Sequence, residues 1–216
     1  MAHPLGEHLA FDLHDPSATP DASWSRMTEL LSPAWLRQRV DTVQRLLRQP
    51  GGAPVERRVA ASTAHLGIVA KLVAAHIGAR ALGWPGVVLS PGQVWCRETA
   101  GGPLAFSFAA ATHPRDPLQD SVIETFTATV ADSFAVSERV LWGNVGSAAN
   151  STVTLMRMSR PDLVPAATAE ADTVLADPRI DGGGLRSGPG FRRRSCCLIY
   201  RAAGTREAIC GDCVLG

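Results

Sequence analysis

The chain has 216 residues, of which 45% are hydrophobic and 19% charged, with a formal net charge of +1. A chain of this length buries roughly 70% of its unfolded surface and needs neither disulfides nor a metal merely to fold; the composition excludes a disordered polymer. The near-neutral charge excludes a global basic field for nucleic acid and a global acidic field for a basic partner.

Residues 1–31 are mixed, with His3, His8 and His14 at irregular spacing near Pro4, Pro16 and Pro20. The spacing reads as a chain end rather than a metal-binding tract. Residues 1–11 lack a basic segment followed by an apolar run, so no signal peptide is expected. Ser32-Pro33 predicts the cap and first residue of a helix carrying Leu36, Val40, Val43 and Leu47 on one face, stopped by Pro50-Gly51-Gly52.

A long helix is predicted over 54–82, with Val59, Thr63, Leu66, Ala70, Val73 and Ile77 in one stripe and Gly83-Trp84-Pro85 at its end. Ser62, Thr63, His65, Lys71, His76 and Arg80 interrupt its apolar run, which predicts a buried helix and no integral membrane segment. His65 and His76 lie eleven residues apart, close to three turns, and so share a face. Packed core histidines are the first reading and a ligand pocket the second.

Over 87–110 the pattern shortens to β-prone pieces separated by Ser90-Pro91-Gly92 and Gly101-Gly102-Pro103, predicting a small antiparallel sheet with Cys96 in its second strand. Asp116-Pro117 then predicts a helix start ahead of Leu118, Val122, Phe126, Val130 and Phe134. Ser137 opens another helix to about residue 159 that contains Leu141-Trp142-Gly143-Asn144. Gly143 and Gly146, close to one turn apart, allow another backbone to approach; Trp142 and Asn144 are the candidate wall of a substrate pocket. A short helix is predicted near 166–176. The glycine-rich run 181–190 lacks the Gly-Lys-Ser/Thr ending of a phosphate loop and reads as a flexible linker. The expected fold is α+β: a mainly helical body over 1–185 with the small sheet near 87–110, then a C-terminal segment over 186–216.

Cys196, Cys197, Cys210 and Cys213 put four of the five cysteines into the last 21 residues. Four thiolates are the full ligand set of a tetrahedral zinc or of an iron–sulfur cluster. Cys210-x-x-Cys213 is a chelating half; in Cys196-Cys197 adjacent side chains diverge, which suits a wider binuclear centre better than one small ion. Spacing therefore ranks an iron–sulfur cluster ahead of zinc, and zinc ahead of disulfide or thiol redox chemistry. Arg186, Arg192, Arg193, Arg194, Arg201 and Arg206 stand against one acid, Glu207, over 186–207. Such a patch favours the more negative, reduced form of a cluster or attracts an anionic partner; Arg192, Arg193 and Arg194 are the candidate substrate or partner contacts.

These cysteines, the strings Arg-Arg-Ser-Cys-Cys-Leu-Ile-Tyr-Arg and Cys-Gly-Asp-Cys-Val-Leu, and Leu141-Trp142-Gly143-Asn144 upstream resemble the FhuF-like ferric-siderophore reductases. The loop between the cysteine pairs is about two residues longer than in that pattern, an insertion a turn near Gly204 tolerates. The resemblance implies a [2Fe-2S] cluster on Cys196, Cys197, Cys210 and Cys213 and one-electron reduction of siderophore-bound Fe(III) in the cytoplasm, with a hydroxamate chelate favoured. With no nicotinamide or flavin motif, the electron is expected from an external donor such as a ferredoxin or a reduced small molecule. A zinc-holding interaction module and a ferredoxin-like carrier without its own substrate are the competing readings.

Overall fold

The computed structural model describes residues 3–6, 9–47, 52–99, 104–203 and 211–214. The described elements are β1 (Asp12–His14), β2 (Ser25–Arg26), α1 (Met27–Leu30), α2 (Pro33–Leu46), α3 (Arg57–Ala81), β3 (Val94–Arg97), β4 (Ala105–Ala109), α4 (Val122–Phe134), α5 (Glu138–Ser159), α6 (Val164–Leu175) and α7 (Tyr200–Ala203). The fold is α+β and mainly helical.

Helix α3 is the centre of the body. It packs against α2, α4, α5 and α6, and Val59, Ile68, Leu72 and Ile77 are each almost fully buried. Its length and apolarity match those of a membrane span, yet 72% of its apolar window is covered by the rest of the protein. The same apolar surface that predicted a core helix is therefore used inside the fold. Small residues make this possible: Ala60, Ala61, Ala64, Ala75 and Ala79 let neighbouring helices come close.

Two helix starts show how local chemistry sets the boundaries. Ser32 Oγ accepts from Trp35 N–H at 3.3 Å and Pro33 fills the first turn, as predicted for α2. Helix α4 starts later than Asp116-Pro117 suggested. Asp116 Oδ1 accepts from Leu118 N–H at 2.8 Å, which commits that dipeptide to a turn. Asp120 then adopts φ 51°, and Ser121 becomes the cap, accepting from Glu124 N–H at 3.2 Å.

The sheet is mixed rather than purely antiparallel. Its order is β1-β4-β3-β2, with β3 antiparallel to both β4 and β2 and β1 parallel to β4 through Asp12↔Ser107 and His14↔Ala109. Strand β1 is three residues long and partly exposed, too short to leave a periodic signal. His14 holds it in place, stacked on Trp95 at 3.6 Å and 2.9 Å from Ser107 Oγ. His3 packs on Phe11, while His8 lies outside the described residues, as do Gly101-Gly102-Pro103.

The run 181–190 is an ordered strap, not a free linker. Its start is held by Ile180, which is buried beside Gly146, where a Cβ would come 2.8 Å from Ile180 Cγ2. Asp172 Oδ1 accepts from Ser187 N–H at 2.7 Å, and Asn150 Oδ1 from Gly188 N–H at 2.8 Å. Gly183 has φ 72° and lies so close to Ala176 that a Cβ would come 2.5 Å from its carbonyl oxygen. Glycine here serves positive φ and close approach rather than flexibility.

Candidate metal centre

The strap delivers residues 191–195 to α5 with alternating burial: Phe191, Arg193 and Ser195 point in, Arg192 and Arg194 point out. The inward turn of Arg193 depends on Gly143. A side chain there would fall on Ser195 Oγ and come 2.7 Å from Arg193 Nη2.

Arg193 is 1% exposed. Its guanidinium donates through Nε to the Ser195 carbonyl (2.5 Å) and through Nη1 to Asn144 Oδ1 (2.9 Å) and Ser147 Oγ (3.2 Å). Nη2 donates to the Val140 carbonyl (3.0 Å) and to Ser195 Oγ (3.3 Å). Every one of these acceptors is neutral. Among the described residues Arg193 forms no ion pair; the Asp212 carboxylate joins the set one hydroxyl away, accepting from Ser147 Oγ.

The network continues to α3. Asn144 Nδ2 donates to the Ser62 carbonyl (3.1 Å) and Oγ (3.2 Å), and Ser62 Oγ donates to the Cys197 carbonyl (2.9 Å). His65 closes it, with Nδ1 3.5 Å from Asn144 Nδ2 and Nε2 3.0 Å from Thr127 Oγ1. Thr127 gives its hydroxyl proton to the Ile123 carbonyl, so it accepts from His65 Nε2–H and leaves the Nδ1 lone pair toward Asn144. Burial first, and then the Arg193 charge, pull the His65 pKa down to about 3, so the ring stays neutral.

Above this network sit the cysteines. Cys196 is half-buried, and Cys197 and Cys213 are buried. Leu198 turns the chain with φ 69° and donates its N–H to Cys196 Sγ at 3.3 Å. Arg193 N–H donates to the Asp212 carbonyl at 3.1 Å, which lays the Cys213 arm beside the Cys196-Cys197 arm. Burial raises the Cys196 thiol pKa; the Leu198 N–H opposes this, the neighbouring Cys197 and Cys213 thiolates reinforce it, and Arg193 opposes it.

Cys210 and the turn around Gly204 lie outside the described residues. Among the described residues no group of three or more His, Cys, Asp or Glu side chains is arranged to hold a metal ion. The donor chemistry nonetheless fits a cluster: the two arms lie side by side, the donors are thiols that feel one another's charge, and a backbone N–H already points at one sulfur. Cys196, Cys197, Cys210 and Cys213 are the residues that would hold it.

The segment carries the donor set of an iron–sulfur centre. Residues 193–215 match the family described as FhuF 2Fe-2S C-terminal domain, a stretch that begins at Arg193 and takes in all four cysteines, and the match is consistent with a FhuF-like family. No curated protein matches the chain.

Three expected contact residues are placed differently from the sequence reading. Arg193 belongs to the interior and does not join a surface patch. Trp142 is buried, with the Arg179 guanidinium 4.2 Å over its ring, and Asn144 is fully buried within the network. The cause is the close approach of Arg193 and Ser195 over Gly143 and of Ile180, Leu175 and Phe191 over Gly146, which fill that space. Arg192 and Arg194 remain exposed, and Arg194 is steadied by Asp181, whose Oδ2 accepts from its backbone N–H at 2.8 Å. Ser62, Ser147 and Asp212 were missed. Their signal was faint: single small polar residues in apolar helices, and the acid inside Cys-Gly-Asp-Cys.

His76 lies at the other end of α3. It borders a cavity of about 570 Å³ lined also by Arg80, Arg115, Asp116 and Glu170. The cysteine segment does not line this cavity.

Proposed function

We propose that this protein is a ferric-siderophore reductase of the cytoplasm. The observation that carries the reading is the cysteine-bearing segment, matched over residues 193–215 and docked on α5 and α3 by a buried polar network. A [2Fe-2S] cluster, when bound, supplies a one-electron store.

The net reaction moves one electron from an external donor, a ferredoxin or a reduced small molecule, to chelated Fe(III). Hard oxygen ligands such as hydroxamates hold Fe(III) far more tightly than Fe(II), so one electron loosens the metal and leaves the chelator intact. The chain's own contribution is placement and charge. Among the described cysteines of the set Cys196 is the half-buried one, and a bulky chelate or donor would approach from its side. Arg192 and Arg194 are exposed a few residues before Cys196 and would draw in anionic partners, a steering effect that weakens with salt.

The test is stopped-flow mixing of the chemically reduced protein with a ferric hydroxamate siderophore and a ferrous chelator. Reoxidation in step with loss of the ferric-siderophore absorption is expected. A protein that stays reduced across ferric hydroxamates, catecholates and citrates is a carrier, not this reductase.

A further inference from the structure

We propose that Arg193 is a positioning residue that both locks the two cysteine arms together and supplies a buried positive charge beneath them. The inference rests on the iron–sulfur reading above.

The locking follows from connectivity. Three carbonyls in the cysteine segment, those of Ser195, Cys197 and Asp212, are held from below. The first accepts from Arg193 Nε, the second from Ser62 Oγ, the third from the Arg193 backbone N–H. Ser62 is tied to Arg193 through Asn144, which donates to Ser62 and accepts from the guanidinium. Ser147 accepts from the same guanidinium and donates to the Asp212 side chain. One residue, through its guanidinium and its backbone N–H, thus sets the position of the peptide groups next to Cys196, of Cys197 and next to Cys213.

The charge follows from what Arg193 lacks. A guanidinium cannot shed its proton, and removing it from water is costly unless an opposite charge compensates. Here all five acceptors are neutral, and the one carboxylate of the network stands behind a hydroxyl. His65 is neutral and offsets nothing. A buried cation with only neutral acceptors, in the residue that hydrogen-bonds the peptide groups beside Cys196 and Cys213, fits an anion held by those cysteines. Four thiolates and their iron are such an anion, and the reduced state is more negative by one charge. Arg193 therefore favours the reduced state. Because it is shielded from solvent, its effect resists salt, unlike that of Arg192 and Arg194.

The experiment measures the midpoint potential and the rate of cluster loss to a chelator in the cluster-loaded full chain, at low and high salt. Arg193→Gln is expected to lower the potential by roughly tenfold in the one-electron equilibrium constant, about 59 mV, at both salt concentrations. Arg192→Gln and Arg194→Gln should give smaller shifts that fade with salt. Arg193→Lys keeps the charge but not the fork, so its potential should stay near wild type while the cluster is lost several-fold faster. Where Arg193→Gln holds no cluster, Asn144→Asp decides, because it neutralises the guanidinium in place and should lower the potential in the same direction. A loaded charge-removing variant with the wild-type potential, or a shift that disappears in salt, overturns the proposal. A wild-type chain that binds no cluster overturns both this proposal and the reading beneath it. A loaded wild type that fails to reduce ferric chelates, yet shows the Arg193 shift, removes only the reductase reading.

Discussion

Ser62, one turn into the central helix α3, donates its hydroxyl to the Cys197 carbonyl at 2.9 Å, across 135 residues of sequence. This bond joins the core helix to the cysteine arm without using a cysteine side chain. The body of the protein is thereby a platform for the segment and not simply a preceding domain.

Removing that hydroxyl should be felt in both places. Ser62→Ala leaves a buried carbonyl without its donor and costs the Asn144 amide one of its acceptors. A loss of about 1–3 kcal/mol is expected, the usual penalty of an unsatisfied buried polar group. Denaturant unfolding followed by circular dichroism measures it, and iron release to a chelator should quicken in parallel.

Gly143→Ala is expected to destabilise although alanine is the better helix former. In an open helix the change would stabilise by up to about 1 kcal/mol. Here the new methyl would come 2.7 Å from Arg193 Nη2, with Ser195 also in its way. Thermal unfolding should fall in temperature, and hydrogen exchange of residues 191–198 should speed up. Wild-type protection there would mean that the strap does not rest on this glycine.

The cysteines should divide sharply. Serine at Cys196, Cys197, Cys210 or Cys213 is expected to abolish or greatly alter the visible spectrum. Cys96→Ser should leave it unchanged. Cys96 is 1% exposed in β3, and burial pushes its thiol pKa up to about 12, so it should also resist alkylation in the native protein at neutral pH.

Much of this was legible in the chain. Ser32-Pro33 marked a helix start because both residues act locally, and the apolar run of α3 reported a core helix, but its expected stripe was only half right: Val59, Val73 and Ile77 are buried, whereas Thr63, Leu66 and Ala70 are partly exposed and Ile68, Val69 and Leu72 take the core side. The cysteine cluster declared itself by position. The fate of Arg193 was not legible, since three consecutive arginines look alike and only the alternating burial of the strap against Gly143 separates the middle one. Asn144 and Ser62 are 82 residues apart and meet only after α3 and α5 pack. Strand β1 was too short for periodicity to register, and its pairing with β4 is a long-range choice.

Acid should weaken the fold through histidines held neutral. Burial lowers the His76 pKa to about 4, with the nearby Glu170 opposing that and Arg80 adding to it. Below about pH 6.5 the unfolded chain takes up a proton that the folded His76 refuses, so stability falls as pH drops toward 4 and is fully present above 6.5. The shift corresponds to about 3 kcal/mol at most for this residue. His65 acts in the same direction. Unfolding free energy measured from pH 7 to 4 should slope less steeply in His76→Gln.

The central claim is that the C-terminal cysteines hold an iron–sulfur centre, and it is tested most directly by absorption and EPR spectra of the anaerobically purified full chain, with iron and sulfide analysis on the same sample. The account predicts visible charge-transfer bands, iron and sulfide in equal amounts, and an EPR signal that appears on one-electron reduction. A colourless protein carrying zinc, or one with no metal after anaerobic reconstitution, would contradict it.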